Sequence, residues 1–236
     1  PLGARFRPSG CLLFCAASPC RSGIVVQSSG SGDPHMQDGQ GGYFDFMGKN
    51  MTVYNLLSTN NVSVNALFKH TDYNDAGSKK RLIHGSFMTA AYVATKASDG
   101  RVLQIEYDAT RAVLLPIKID GAAPTVHQAP ASMSVGNVDI SLKDRTMTII
   151  TSAWVVTASS KMKKGILRGN SCATGKCFLN IGIEPVTDVG HAAVAPHGLL
   201  GQAYDGDGMQ RQHAFTHTAT EIANLTATTC QRSDAL

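Results

Sequence analysis

Two turn-forming runs stand far apart in this sequence and bracket a long region of strand-like character. The first is Gly-Asp-Pro-His at residues 32–35, closely followed by Asp38 and Gly39. The second is His-Gly-Leu-Leu-Gly-Gln at 197–202, followed by Tyr-Asp-Gly-Asp-Gly at 204–208. Gly, Pro and Asp favour turns for separate stereochemical reasons. The two runs therefore mark the beginning and the end of one β domain, residues 32–209.

The region between the runs consists of short segments with alternating or β-branched apolar residues, which is typical of strands. Residues 58–61 predict a hairpin turn, and Pro116 predicts an edge strand or a bulge because proline lacks a backbone N–H. Residues 86–95 fit either a helix or a strand, and we predict a strand. Strands of this length and spacing indicate a sandwich or an open barrel. The predicted strands are 51–57, 62–68, 86–95, 100–107, 112–119, 135–142, 145–151, 154–157 and 177–183.

The ends of the chain differ from this body. Residues 1–31 are predicted to be a cysteine-bearing arm, or the end of a preceding domain, joined through the Ser/Gly linker at 28–32. Residues 210–236 form a polar tail, with one short helix predicted to start at Thr218. The hydrophobic fraction of 43% is enough for a buried core between these ends.

Charge and hydropathy argue against two classes of partner. The net charge is only +4, and the basic runs at 79–81 and 161–164 are short, so no stripe for nucleic acid is expected. No apolar run approaches the roughly 18 residues of a transmembrane helix. We therefore predict a protein that neither binds nucleic acid nor inserts into a membrane.

The cysteines and glycosylation sequons favour a secretory route. Cys172 and Cys177 flank a short loop that contains a glycine, so we predict a local disulfide between them. The pairing of the other four cysteines stays open, since sequence does not choose among the alternatives; they are Cys11, Cys15, Cys20 and Cys230. Asn-x-Ser/Thr sequons predict N-glycosylation at Asn50, Asn61 and Asn224.

The bracketing runs also supply candidate metal ligands, namely Asp33, Asp38, Asp205 and Asp207. Calcium takes six to eight oxygens from carboxylates, amides and carbonyls on flexible turns. The run at 202–208 offers several such oxygens, although it is not an EF-hand loop. The alternative is an acidic surface turn stabilised by hydrogen bonds of its aspartates.

The runs at 32–35 and 198–202 resemble the opening and closing signatures of von Willebrand factor type D-like domains. The closing run also resembles that of inter-alpha-trypsin inhibitor heavy chains. Residues 38–48 and 62–68 are similar to the plant root-cap protein group, which shares this domain type. The resemblance covers about three quarters of the chain. It implies an all-β, two-sheet antiparallel sandwich with little helix.

The same resemblance implies a calcium site formed by Asp38, Gln202, Asp205 and Asp207. Two departures are visible. Leu200 stands where the mucin-like members carry a cysteine, so their disulfide-linked multimer chemistry is not expected. The calcium loop is short, with Gln202 and Ala203 in place of an asparagine-rich run.

These features together predict a non-catalytic module of an extracellular or cell-surface assembly, with other subunits or its own copies as partners. Calcium or hydrogen bonds would tie residues 202–208 to 33–39 and close the domain. No Gly-x-Ser-x-Gly or phosphate-loop motif points to an enzyme. The alternatives are a secreted binding module for a glycan or a protein, and a metal-dependent hydrolase that uses His and Asp of the two runs.

Overall fold

Two antiparallel sheets packed face to face make up the fold of the computed structural model. It describes residues 27–32, 34–39, 41–74, 82–162, 177–186, 195–204 and 216–217. The strands are β1 (Ser28–Ser31), β2 (His35–Gln37), β3 (Tyr43–Asp45), β4 (Thr52–Ser58), β5 (Val62–Asn74), β6 (Leu82–Lys96), β7 (Val102–Asp108), β8 (Leu114–Ile119), β9 (Thr125–Gln128), β10 (Ala131–Val135), β11 (Val138–Lys143), β12 (Thr146–Ile150), β13 (Trp154–Met162), β14 (Cys177–Pro185) and β15 (Thr216–His217). Short 3₁₀ helices span Ala109–Arg111 and Gly201–Tyr204.

The first sheet has the strand order β10-β11-β12-β13-β14-β1-β2-β3, and the second has β15-β4-β5-β6-β7-β8-β9. Most neighbours follow each other in the chain as hairpins, which suits short turns between antiparallel strands. β1 and β14 are neighbours in the sheet although they are far apart in the chain. Their pairing places the first strand beside the last long strand. An all-β, two-sheet antiparallel sandwich, predicted from the sequence, is thereby confirmed.

The core lies between the sheets and follows the two-residue period of the strands. In β13, Trp154, Val156 and Ala158 are buried while the residues between them are partly exposed. Leu103 and Ile105 of β7, in the second sheet, belong to the same continuous hydrophobic cluster. Each large side chain that is buried in this way stabilises the fold by about 1.5–3 kcal/mol.

Most predicted strands are present, and two of the predictions need correction. The strand predicted at 135–142 begins only at Val138, as β11, since Gly136 adopts a positive φ of 57° and turns the chain between β10 and β11. Pro116 lies in β8, which is not an edge strand. It sits just beyond the last residue of β8 that pairs with β7, so its missing N–H interrupts no ladder there. The ambiguous segment 86–95 is a strand, as predicted.

The Ser/Gly run at 28–32 was predicted to be a linker, and that prediction is wrong. Residues 28–31 form β1 and pair with both β14 and β2. Their small size is the physical reason, because a Cβ on Gly30 would lie 2.7 Å from the Met36 sulfur. The small side chains thus let the buried methionines pack directly on the strand.

The C-terminal tail contributes one described element. Thr216 and His217 pair with Tyr54 and Val53 at the edge of β4. The helix predicted after Thr218 lies outside the described residues. Within the described part of the chain, no helix has the length and apolar character needed to cross a membrane.

Candidate functional site

Asp38 organises a tight turn between β2 and β3, which we call the opening turn. Its Oδ1 accepts a hydrogen bond from Gly42 N at 2.7 Å, and its own N–H donates to Gly42 O at 2.9 Å. The Asp38 side chain is buried, with 5% exposed. A buried carboxylate therefore holds the opening turn by a hydrogen bond across it.

The closing segment, residues 195–204, docks on strand β4 of the second sheet. The backbones of His197 and Ser58 exchange two hydrogen bonds, of 2.8 and 3.0 Å. Leu199 N and Leu200 N then donate to carbonyls of β4, and both leucine side chains are fully buried. The segment is therefore built into the sandwich by backbone pairing and by apolar burial together.

Gly198 is required at the point of closest approach. Its φ of +102° lies in the region that favours glycine. A Cβ there would collide with Asn55 Oδ1 and with the backbone of Leu56. Only a residue without a side chain allows the closing segment to lie this close to β4.

A buried polar cluster lies beneath Gly198. Asn55 interrupts the regular pairing of β4 with β5, at a register shift between Asn55 and Leu57. Its Nδ2 lies 2.8 Å from Ser58 Oγ and 3.0 Å from Asn65 Oδ1, and Asn65 Nδ2 donates to Ser63 Oγ at 3.2 Å. These contacts fix the asparagine against which the closing segment packs.

Tyr204, at the end of the closing segment, reaches the opposite sheet. Its hydroxyl oxygen accepts hydrogen bonds from Ser28 N at 3.0 Å and Ser28 Oγ at 2.8 Å. The same hydroxyl donates to Ile183 O of β14 at 3.3 Å. Since the segment before it is anchored on β4, Tyr204 joins the two sheets.

The aromatic ring of Tyr204 packs against two residues, Trp154 and Gly39. Trp154 packs on it edge to face, with ring centroids 5.3 Å apart. Gly39 of the opening turn lies against the ring so closely that any Cβ on Gly39 would collide with it. The opening and closing segments, far apart in sequence, are therefore in direct contact.

Burial perturbs two ionisable groups of the closing segment. It raises the pKa of the Tyr204 phenol above its usual range, with the hydrogen bonds from Ser28 opposing and the charges of Glu184 and Asp38 adding to the shift. Burial also lowers the pKa of His197, although a backbone hydrogen bond at Ala195 opposes the shift. Both side chains are therefore neutral at pH 7.

The predicted metal ligands are described only in part. Asp38 lies in the opening turn, and Gln202 lies in the 3₁₀ helix, where its Nε2 donates to Leu199 O at 3.3 Å. Asp33, Asp205 and Asp207 lie outside the described residues. No group of three or more His, Cys, Asp or Glu that could hold a metal ion occurs among the described residues.

The predicted modification sites fall at different places. Cys177 is buried at the start of β14, with its sulfur 3.7 Å from Arg145 Nη2, whereas Cys172 lies outside the described residues. Asn50 is exposed just before β4, and Asn61 is exposed in the turn between β4 and β5. Asn224 lies outside the described part of the chain.

Sequence reasoning missed the residues that make the junction, above all Tyr204, Ser28 and Asn55. Ser28 belongs to a serine and glycine run that predicts a linker, and no motif marks Tyr204 as the residue that joins the sheets. Ser28 and Tyr204 are 176 residues apart in sequence, so no local pattern connects them. The signal that was visible is the pair of glycines, Gly39 and Gly198, in the two runs, since each marks a close approach.

No protein-family model matches the chain, and a search of curated proteins finds no match.

Proposed function

We propose that the chain is a non-catalytic structural module of an extracellular or cell-surface assembly, closed by its own end segment. The observation that supports this proposal is the Tyr204 junction. It links the segment docked on β4 to β1 and β14 of the other sheet. The phenol of Tyr204, Ser28 and the backbone carbonyl of Ile183 form this junction, and their hydrogen bonds hold the two sheets together.

The edge of the first sheet supplies the surface for assembly in this proposal. Among the described residues, β3 is the last strand of that sheet and has one paired neighbour, β2. Tyr43 on β3 and Met47 and Met51 after it are 74%, 65% and 60% exposed. An edge strand with exposed apolar side chains favours pairing with another chain. The partners are other subunits, copies of this chain included.

Sedimentation velocity over a range of concentrations tests the assembly proposal. We expect the full chain, expressed through a secretory route, to self-associate, and we expect Tyr43→Lys to shift it towards the monomer. The matched control is Val126→Lys on β9, the edge of the other sheet, where Val126 is 55% exposed. A chain that stays monomeric at every concentration, or equal effects of the two lysines, would contradict assembly through β3.

Calcium is the ion we propose for the junction between the opening turn and residues 202–208. The described donors fit this ion, because Asp38 offers a buried carboxylate and Gln202 an amide oxygen. Asp205 follows Tyr204 directly in sequence, and Tyr204 touches Gly39, the neighbour of Asp38. Bound calcium would neutralise these carboxylates and hold the end of the closing segment in place.

Thermal unfolding with millimolar calcium and with chelator tests the ion. A ligand that binds only the native state stabilises it by about 2.7 kcal/mol at a hundredfold excess over Kd. We expect calcium to raise the melting temperature of the wild type and to leave Asp38→Asn unchanged. If calcium does not shift the wild type, the closing segment is held by hydrogen bonds and packing without a metal.

A further inference from the structure

A cleft of about 330 Å³ lies at one end of the sandwich, where turns of both sheets meet. The second sheet contributes Asn60, Asn61 and Ser98, and the first contributes Asn137 and Ser152. Ser98 N donates to Asn137 Oδ1 at 2.7 Å, which joins the two sides. Small-molecule sites in proteins span about 300–1,000 Å³, so the cleft has room for a small ligand.

The described residues that line the cleft combine apolar surface with neutral polar groups. Most of them carry a hydroxyl or an amide, and Lys96 is the ionisable residue among them. The side chains of Asn60, Asn61, Ser98 and Ser152 make no hydrogen bond to the described part of the chain. Neutral donors and acceptors therefore remain for a ligand, and none of the described residues that line the cleft is a carboxylate.

Thr95 adds a second, independent observation. It lines the cleft, its side chain is fully buried, and its Oγ1 has no hydrogen-bond partner among the described residues. Buried hydroxyls are nearly always hydrogen-bonded in proteins. The chain's one tryptophan, Trp154, lies beside the same cleft and is almost fully buried, with 2% exposed.

We propose that the cleft binds a neutral saccharide that carries hydroxyl and acetamido groups. Such a ligand matches the free hydroxyls and amides and supplies a partner for Thr95 Oγ1. This inference goes beyond the structural role proposed above, because it gives the module a ligand.

Such a saccharide has two sources, the glycan of Asn61 itself and a saccharide on a neighbouring molecule. Asn61 is the acceptor of a glycosylation sequon and itself lines the cleft, so the first sugar of its own glycan would begin there. In that attachment Asn61 Nδ2 bonds to the anomeric carbon of a lipid-pyrophosphate-linked saccharide. The bond from that carbon to pyrophosphate breaks, and the amide loses one proton. The other source is a saccharide on a neighbouring molecule.

Titration with N,N′-diacetylchitobiose, followed by the fluorescence of Trp154, tests the proposal on the full chain made without N-glycans. We expect a saturable change, and about fivefold weaker binding in Thr95→Val because one hydrogen bond is lost. Thr95→Val should fold with an unlowered melting temperature, since the removed hydroxyl has no partner among the described residues. Thr125→Val on β9 is the matched control and should bind as the wild type does.

Two results would overturn the proposal. One is a fluorescence that does not respond to chitobiose at any concentration. The other is an anionic ligand in place of a neutral one. In that case the wild type binds a glucuronic acid disaccharide and not chitobiose, and Lys96→Gln abolishes the binding. Because both titrations use unglycosylated protein, they test the cleft independently of the extracellular setting proposed above.

The source is distinguished by repeating the titration on protein that carries N-glycans. If the glycan of Asn61 fills the cleft, glycosylated protein does not respond to chitobiose and its Asn50→Gln variant behaves identically. If glycosylated protein responds like the unglycosylated form, the natural saccharide belongs to another molecule. Either result supports a saccharide site and assigns its ligand.

Discussion

The phenol of Tyr204 makes contacts that no smaller or apolar side chain would reproduce. Its oxygen accepts two hydrogen bonds from Ser28 and its proton is donated to Ile183 O, while its ring packs between Gly39 and Trp154. A phenylalanine would keep the ring contacts and lose the three hydrogen bonds. The hydroxyl and the ring therefore have separable effects on stability.

Tyr204→Phe is expected to lower the free energy of unfolding by about 1–3 kcal/mol, because Ser28 loses its acceptor in a partly buried place. Urea denaturation of the full chain measures the change. The control is Tyr43→Phe, where the ring is 74% exposed and a change within about 0.5 kcal/mol is expected. An equal effect of the two substitutions would contradict the role of the hydroxyl.

The chemistry of single residues explains which site residues could be predicted. Asp38 is a candidate ligand because carboxylates in glycine-containing turns have a known ligand chemistry, and it does lie in such a turn. Gln202 follows only from the resemblance to type D-like domains, and calcium binding by either residue stays a prediction. Ser28 carries no such local mark. Its role depends on a partner that only the folded chain brings near.

At the scale of elements, segment 195–204 is the piece whose attachment decides whether the sandwich is closed. It lacks a long strand of its own and adds to β4 through the two-residue bridge of His197 with Ser58 and the two leucine N–H groups. Gly198 and the buried Asn55 fix where it docks. A segment with so few backbone bonds is more sensitive to its buried groups than a central strand is.

Lowering the pH is expected to weaken this attachment through His197. Burial lowers the pKa of His197 in the folded chain below the ordinary value of 6.5. The unfolded chain therefore takes up the proton first as the pH falls, and the stability present above about pH 6.5 is progressively lost below it. Urea denaturation at pH 7.5 and pH 5 should show a larger loss in the wild type than in His197→Gln. Equal losses in the two proteins would contradict this prediction.

Strands with a clear apolar pattern were predictable from sequence, although not always over their full length. The predictions cover parts of β5, β6 and β13, and the pattern at 86–95 in β6 also fits a helix. β1, β2 and β3 contain three or four residues each and were not predicted as strands, since their pairing with β14 and with one another defines them. The local pattern of a serine and glycine run is the same in a linker and in a strand packed on methionine.

At the scale of the whole molecule, two tyrosines connect the sheets at separate places. Tyr107 of β7 donates to Arg145 O in the turn between β11 and β12, at 2.6 Å, and burial raises its pKa to about 12. It lies at the end of β7 away from the saccharide cleft, whereas Tyr204 packs on Trp154 of the cleft wall. The hydrophobic core holds the sheets face to face, and the hydrogen bonds of the two tyrosines fix the position of one sheet relative to the other.

Strand length and spacing predicted a sandwich or an open barrel, because antiparallel strands with one buried face must pair their apolar faces. The resemblance to type D-like domains implied the two-sheet sandwich. The resemblance to type D-like domains and the disulfides stay predictions, as does calcium binding. Each depends in part on residues beyond the described ranges, among them Cys172, Asp205 and Asp207.

Native-state hydrogen exchange on the full chain, compared between the wild type and Tyr204→Phe, tests the closing role of residues 195–204 most directly. We expect slow exchange of the amides of Leu199 and Leu200 in the wild type. In the variant, these amides and those of β1 should accelerate together, while Ile140 and Ile149 of the far strands keep their rates. Free exchange of the leucine amides in the wild type, or acceleration that leaves β1 unchanged, would contradict a segment that closes the sandwich.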